Sequence, residues 1–183
     1  MPLATSALPY GLRDVKLQAL SADGATPVGT LVDLPAARTF SFSDTSESTE
    51  LRGDDRVVAT RTGDTTVDWE LEGGGISLEA YAIMAGGTIT SSGTTPTAKK
   101  LYRKLVTDSR PYFKVEGQAI NDNGGDFHAI VYRCKADGSL DGSLGDQEFY
   151  LTSASGKGYG SNQAASLDAV YDFVHNETTT AIV

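Results

Sequence analysis

The segment from Thr65 to Gly87 (TTVDWELEGGGISLEAYAIMAGG) changes its hydrophobic period in mid-course, which constrains the fold more than any other part of the chain. In residues 66–72 apolar side chains alternate with polar ones, the pattern of a half-buried strand with an acidic outer face. Three glycines follow, and residues 76–85 are mostly good helix formers that end at Gly86 and Gly87. The segment therefore predicts a strand followed directly by a helix.

The predicted helix is apolar around nearly its whole circumference, because Ser77 and Glu79 are its only polar residues. One face is expected to pack on the subunit's own core: Ile76, Ala80, Ile83 and Met84. The other apolar residues need a second cover, which is either another layer of the same chain or a neighbouring subunit. We favour the neighbour, because an exposed apolar patch of this size usually marks an interface. The residues expected at that interface are Leu78, Tyr81, Ala82 and Ala85.

The composition is typical of a mainly β protein. A chain of 183 residues suffices for one domain, and its 20 glycines, with many threonines and serines, indicate short strands separated by turns. We expect one domain over residues 11–175, an N-terminal arm over 1–10 and a C-terminal arm over 176–183. There is no run of about 18 apolar residues and no charged-then-apolar amino terminus, so we expect neither a membrane span nor a signal peptide.

Charge and cysteine content narrow the functional classes. A net charge of -9 argues against tight binding to a phosphate backbone, which needs clustered lysine and arginine. The single cysteine, Cys134, excludes an internal disulfide. It lies in an alternating run, which predicts a packed thiol rather than a nucleophile.

Two charged segments are candidates for contacts between subunits. Residues 44–55 (DTSESTELRGDD) hold five carboxylates against one arginine, and they predict a long loop that is either solvated or functional. Residues 99–114 hold six basic residues opposed only by Asp108. A contact with an acidic loop of another subunit and a solvated strand face explain this basic stretch equally well. Its candidate interface residues are Lys99, Lys100, Arg103 and Lys104.

The segment Asp137–Glu148 matches the spacing of a calcium-binding EF-hand loop, with Gly142 at the sharp turn. An EF-hand needs a helix on each side, but residues 127–134 and 148–153 alternate as strands. We therefore favour a hairpin loop, and calcium binding remains the alternative.

Three further patterns resemble catalytic or ligand sites. Ser77 lies at a strand-to-helix bend like a nucleophile elbow, but Glu79 replaces the final glycine, so helix capping is the better interpretation. The glycine-rich segment 155–160 lacks the spacing of a phosphate-binding loop and predicts a linker. His128 and His175 lie in different strands without a second ligand at metal spacing. We expect no enzyme, no cofactor and no metal.

Several collinear segments together resemble a known family. They are LPYGLRDVKL (residues 8–17), TFSFSDTSESTELRGDD (39–55), VDWELEGGGISLEAYAIMAGG (67–87), RPYFKVEGQAINDNGGDFHAIVYRCKA (110–136) and EFYLTSASGKG (148–158). The chain resembles the major tail tube proteins, or major tail proteins, of long-tailed siphophages, especially those of actinobacteria. The resemblance extends over nearly the whole chain.

The resemblance implies a β-sandwich or barrel with one flanking helix at about 76–85, assembled as hexameric rings that stack into a hollow tube for genomic DNA. In that family the inner sheets join into a continuous barrel, and a long loop reaches the next ring. Residues 44–55 match this loop by position. Its candidate contact residues are Glu47, Glu50, Leu51, Arg52, Asp54 and Asp55.

The resemblance also implies the location and partners of the protein. It would reside in the virion tail after assembly in the host cytoplasm, beside tape measure, tail terminator and distal tail proteins. DNA would be a passing cargo, because carboxylates that line a tube repel phosphates. The candidate lumen residues are Asp68, Glu70, Glu72 and Glu116. The alternative function is a monomeric β-sandwich binding module or adhesin, with or without bound calcium.

Overall fold

The computed structural model describes residues 6–182 and confirms the predicted class, a mainly β fold with one flanking α-helix. The helix is α1 (Leu78–Ala85). The strands are β1 (Pro9–Leu20), β2 (Pro27–Asp33), β3 (Ala37–Gly53), β4 (Arg56–Gly74), β5 (Thr88–Ser92), β6 (Lys99–Arg103), β7 (Phe113–Asn121), β8 (Asp126–Asp141), β9 (Leu151–Tyr159) and β10 (Tyr171–Asn176). A short 3-10 helix spans Ala164–Ser166.

One antiparallel sheet folds over on itself to make two layers, and β8 belongs to both. The first half of β8 pairs with β7 and β10, and its second half pairs with β9. The first layer therefore runs β2-β1-β7-β8-β10, and the second runs β8-β9-β4-β3. The layers meet where the Trp69 ring of β4 packs edge-on against Phe113 of β7, with 5.4 Å between ring centroids.

The core follows the alternation seen in the sequence. Val67, Trp69 and Leu71 of β4 are buried, as that alternation predicts. They pack with residues of β1, β7 and β8 between the layers: Val15, Leu17, Val115, Val131 and Cys134. Burial raises the pKa of the Cys134 thiol, consistent with the predicted packed thiol.

The helix starts two residues later than predicted. Ser77 is its N-cap, and the Ser77 hydroxyl accepts a hydrogen bond of 3.2 Å from the Ala80 amide. Of the residues predicted for the core face, Ala80, Ile83 and Met84 are buried, whereas Ile76 precedes the helix and is exposed. The helix covers one end of the sandwich and contacts β1, β2 and β8.

The two termini differ from the predicted arms. Pro9 and Tyr10 belong to β1, because they pair with Asn121 and Ile120 of β7. Residues 1–5 and 183 lie outside the described residues. The C-terminal residues 177–182 pack on the first layer, where the Ile182 side chain is only 4% exposed. Within residues 6–182, no helix is long and apolar enough to cross a membrane.

Candidate assembly interface

A two-stranded ribbon projects from the second layer and replaces the loop predicted at 44–55. β3 and β4 stay paired from Ala37 opposite Gly73 to Gly53 opposite Arg56, whereas β9 pairs with β4 only over residues 67–74. The ribbon therefore extends about 35 Å beyond the sheet, at about 3.3 Å per residue. Gly63 and Asp64 are residue types common in turns, but β4 runs straight through them. We call residues 44–66 the projecting hairpin.

The projecting hairpin turns at Asp54 and Asp55, which both adopt positive φ angles of 51° and 60°. Nearly every residue from 43 to 64 is exposed. The Arg52 guanidinium pairs with Glu50 at 3.0 Å, so part of the predicted contact charge is matched within the hairpin. The exposed apolar side chains nearest the turn are Leu51, Val57 and Val58.

An apolar groove lies at the other end of the same strand. β4 ends at Gly74, about 60 Å along the strand from the hairpin turn. The groove has a volume of about 870 Å³. The Phe149 side chain at its rim is 95% exposed, and Ile76 beside it is half exposed. The groove is lined by Ala36, Arg38, Gly74, Gly75, Gln147, Glu148, Phe149 and Leu151. The subunit thus carries exposed apolar side chains at both ends of one strand.

The outer face of the second layer carries three of the four acidic residues predicted for a lumen. Glu70 is exposed and has no ion-pair partner among the described residues. Asp68 pairs with Lys157 of β9 at 2.7 Å, and Glu72 pairs with Arg38 at 3.4 Å. The face is therefore less negative than the sequence indicates, because cations from adjacent strands match two of its carboxylates.

Glu116 was wrongly placed among the lumen candidates. It lies in β7, in the other layer, and its side chain is buried beneath the C-terminal residues. Its carboxylate contacts Lys114 at 3.1 Å and His128 at 2.8 Å. The alternation of β7 predicts a polar face correctly, but both faces of this strand are covered.

The outer face of the second layer also holds a residue that the sequence analysis missed. Asp137 of β8 lines a shallow hollow of about 390 Å³ with Asp68 and Glu70. Three serines of β3 and β9 lie in the same hollow: Ser41, Ser43 and Ser155. This juxtaposition depends on the pairing of β8, β9, β4 and β3, which local sequence patterns do not reveal. The surface presents hydroxyls and carboxylates around Glu70.

The same chain supplies part of the cover predicted from a neighbour over the helix. All four predicted interface residues, Leu78, Tyr81, Ala82 and Ala85, are half-buried. The β5–β6 hairpin contacts the helix, and the rings of Tyr81 and Tyr102 meet edge-on at 6.0 Å. The Tyr81 hydroxyl also bonds to that of Tyr150 at 2.8 Å. Burial and this bond raise the pKa of Tyr81 to about 12.

The basic candidates lie on and after β6, and all four are exposed: Lys99, Lys100, Arg103 and Lys104. Two of them contact α1, one at each end of the helix. Lys100 pairs with Glu79 in the first turn, and this contact lowers the pKa of Glu79. Lys104 donates to the Ala85 carbonyl at 2.5 Å, at the helix C-terminus. Their charge thus has partners within the subunit.

The segments that resemble a calcium-binding loop and a phosphate-binding loop have structural roles. The calcium-like segment begins inside β8, which runs to Asp141, so the flanks are strands as predicted. Among the described residues, no group of three or more histidine, cysteine and acidic side chains is arranged to hold a metal ion. The predicted linker 155–160 lies largely in β9, because Gly156 and Gly158 fit against Trp69 and Val131.

A comparison with protein-family models and with curated proteins finds no match to this chain.

Proposed function

We propose that this protein is the structural subunit of a phage tail tube, in which copies form rings that stack end to end around a channel for DNA. The observation that carries the proposal is the projecting hairpin. A two-stranded ribbon without a covering layer is marginally stable in water. Three apolar side chains near its turn are exposed, and each would gain about 1.5 to 3 kcal/mol on full burial.

The apolar groove is the partner that this hairpin fits best. It lies at the opposite end of β4, so a hairpin of one copy reaches the groove of the next when the copies line up in the same direction. Such a head-to-tail contact joins two different surfaces, and it does not close after two copies. Repetition along one axis produces a stack, as a tube requires.

The free edge of β3 supports lateral contacts within a ring. β3 ends the order of strands in the large sheet, and within residues 6–182 its 17 residues pair only with β4. A long unpaired edge is a template for a strand from another chain. The number of six subunits per ring, and the tape measure, tail terminator and distal tail proteins as partners, come from the sequence resemblance alone.

The hydroxyls and carboxylates around Glu70 make the outer face of the second layer the best candidate for the channel wall. This face offers DNA phosphates few free cations, because Lys157 forms an ion pair with Asp68 and Arg38 forms one with Glu72. A wall of this kind gives DNA little counterion release and therefore little affinity. We place the protein in the virion tail, with DNA as its passing cargo.

Mixed cysteine variants test the end-to-end contact. Val58→Cys places a thiol near the hairpin turn, and Phe149→Cys places one at the groove. Because the native Cys134 is buried, each variant has one accessible thiol. We expect the mixture of both variants to form disulfide-linked dimers under mild oxidation at least tenfold faster than either variant alone.

A mixture of Phe149→Cys with Val106→Cys serves as the control, since Val106 is fully exposed in the loop after β6. Cross-linking that is no faster for Val58→Cys than for Val106→Cys would refute the contact between hairpin and groove.

A further inference from the structure

The C-terminal residues 177–182, here called the C-terminal strap, lie over the outer face of the first layer. The Thr180 amide donates to Asp126 Oδ2 at 2.8 Å, and the Thr180 carbonyl accepts from Gln118 Nε2 at 2.8 Å. The Ile182 side chain is buried, and its carbonyl accepts from Lys16 Nζ at 3.4 Å. Polar contacts from β1, β7 and β8 thus hold the strap.

A buried histidine lies between two carboxylates beneath the strap. His128 Nδ1 is 2.8 Å from Glu116 Oε1, and His128 Nε2 is 3.0 Å from Asp126 Oδ2. Ionised carboxylates only accept hydrogen bonds, so each ring nitrogen must carry a proton to satisfy its partner. The geometry therefore fits a charged imidazolium. The three side chains are 4%, 6% and 0% exposed, in the order His128, Glu116, Asp126.

The environment favours this charged state. Burial by itself lowers the pKa of His128, but hydrogen bonds to Glu116 and Asp126 raise it above the ordinary histidine value. Burial likewise raises the pKa of Asp126, but donors led by the Thr180 amide lower it to about 2. Below the ordinary histidine pKa near 6.5 the geometry thus places one cation between two carboxylates.

We propose that protonated His128 latches the C-terminal strap to the sandwich, and that loss of this proton releases residues 177–182. Asp126 Oδ2 couples the two events because it accepts from both His128 and Thr180. After deprotonation one ring nitrogen presents a lone pair to a carboxylate, and two buried carboxylates lose the cation between them. Asp126 then keeps the neutral donors of Thr180, Gln118 and Asn176, but loss of the neighbouring cation weakens the arrangement that orients its carboxylate toward the strap.

The sign of the pH effect follows from the two pKa shifts. A raised histidine pKa gives a stabilisation that is complete below the ordinary value near 6.5 and disappears as the pH rises through the folded-state pKa. The lowered pKa of Asp126 gives a stabilisation that disappears only as the pH falls below about 4 toward 2. The latch is therefore closed in mildly acidic solution and opens as the pH rises above the ordinary histidine value.

Other charged groups also face this cluster. The Lys114 ammonium group contacts Oε2 of Glu116, the oxygen that does not bond to His128. Glu116 therefore still has one cationic partner when His128 is neutral. The other charged or titratable groups on this face or in the strap are Asp14, Lys16, Asp33, Tyr132, Asp172 and Glu177, with the Tyr132 hydroxyl bonded to Asp172. Histidine is the side chain whose ordinary pKa lies between 5 and 8, and His175 is the other histidine of the chain.

Hydrogen exchange of the full-length protein, followed by mass spectrometry, tests the latch. Protection of the C-terminal peptide is measured from pH 6 to pH 9.5 and corrected for the intrinsic exchange rate at each pH. We expect its protection factor to fall at least tenfold over this range, while peptides from β1 and β7 keep theirs. Strap protection that stays constant from pH 6 to pH 9.5 would overturn the proposal.

Two variants separate a charge-driven latch from simple packing. Glu116→Gln keeps an acceptor at Nδ1 but removes one negative charge, so the release should move to lower pH. Thr180→Pro removes the amide that Asp126 binds, so the strap should be unprotected at every pH with the sandwich intact. His175→Gln is the control and should leave the release pH unchanged. An unchanged release pH in Glu116→Gln would show that the charge of His128 does not hold the strap.

Discussion

Replacing Leu51 and Val58 together with aspartate is expected to abolish end-to-end assembly and leave the subunit folded. Both side chains are more than 60% exposed, so the substitutions remove no packing within the subunit. In a stack they would enter the apolar groove around Phe149, where a carboxylate loses its hydration. The cation lining the groove, Arg38, is already paired with Glu72, and Glu148 adds a negative charge there. The loss of two apolar contacts and the desolvation of two charges together make the free energy of association less favourable by several kcal/mol for each contact between a hairpin and a groove.

Sedimentation measures this effect as the fraction of protein in assemblies larger than a single ring. We expect that fraction to fall at least a hundredfold in the double variant, with an unchanged circular dichroism spectrum and unfolding midpoint. Thr49→Asp adds a charge to the same hairpin without removing an apolar side chain, and it should assemble within a factor of three of the parent. Normal assembly of the double variant would exclude the hairpin as the contact.

Replacing Glu70 with lysine is expected to convert the channel from a passage into a DNA-binding surface. The change exchanges an unmatched carboxylate for an ammonium group in every subunit. A ring with the proposed six subunits would gain twelve units of positive charge at one level of the channel. Cations that contact phosphates release counterions from DNA, so the affinity gained should fall steeply with added salt.

Cosedimentation of assembled tubes with short double-stranded DNA measures this change. We expect at least tenfold more DNA bound by Glu70→Lys than by the parent at low salt, and no difference at high salt. Asp122→Lys makes the same change of charge in the exposed turn after β7 and serves as the control. Equal DNA binding by the two lysine variants would place Glu70 outside the channel.

Sequence patterns predicted the elements that bury one face in the core and expose the other. The alternation in residues 66–72 locates the buried half of β4, and the change of period locates the helix that follows it. Both features depend on neighbours close along the chain. The capping role of Ser77 follows from the same local chemistry.

The β3 strand of the projecting hairpin escaped prediction because neither face of the hairpin is buried in the subunit. Because neither face packs on the core, apolar and polar residues do not alternate along this segment. Its glycine and aspartate residues are also of the types that are common in turns. Gly63 lies in an exposed strand, although Gly-Asp is a common turn pair. The secondary structure of this segment is therefore set by long-range pairing of β3 with β4.

The later part of β9, residues 155–159, escaped prediction for the opposite reason, since its glycines are required by close packing. A Cβ atom on Gly156 would lie 2.7 Å from the Trp69 ring, and one on Gly158 would lie 2.8 Å from Val131. These contacts join residues that are far apart in sequence. Cross-strand register also explains why the pairing of Lys157 with Asp68 was missed.

Electron microscopy of the purified protein, concentrated and negatively stained, shows directly whether the subunits stack into a tube, and light scattering gives the mass of the assemblies. The proposed head-to-tail contact predicts hollow tubes of uniform width with a stain-filled channel, and a mass that grows with concentration. Closed dimers, fibres without a channel, or monomers at every concentration would contradict it.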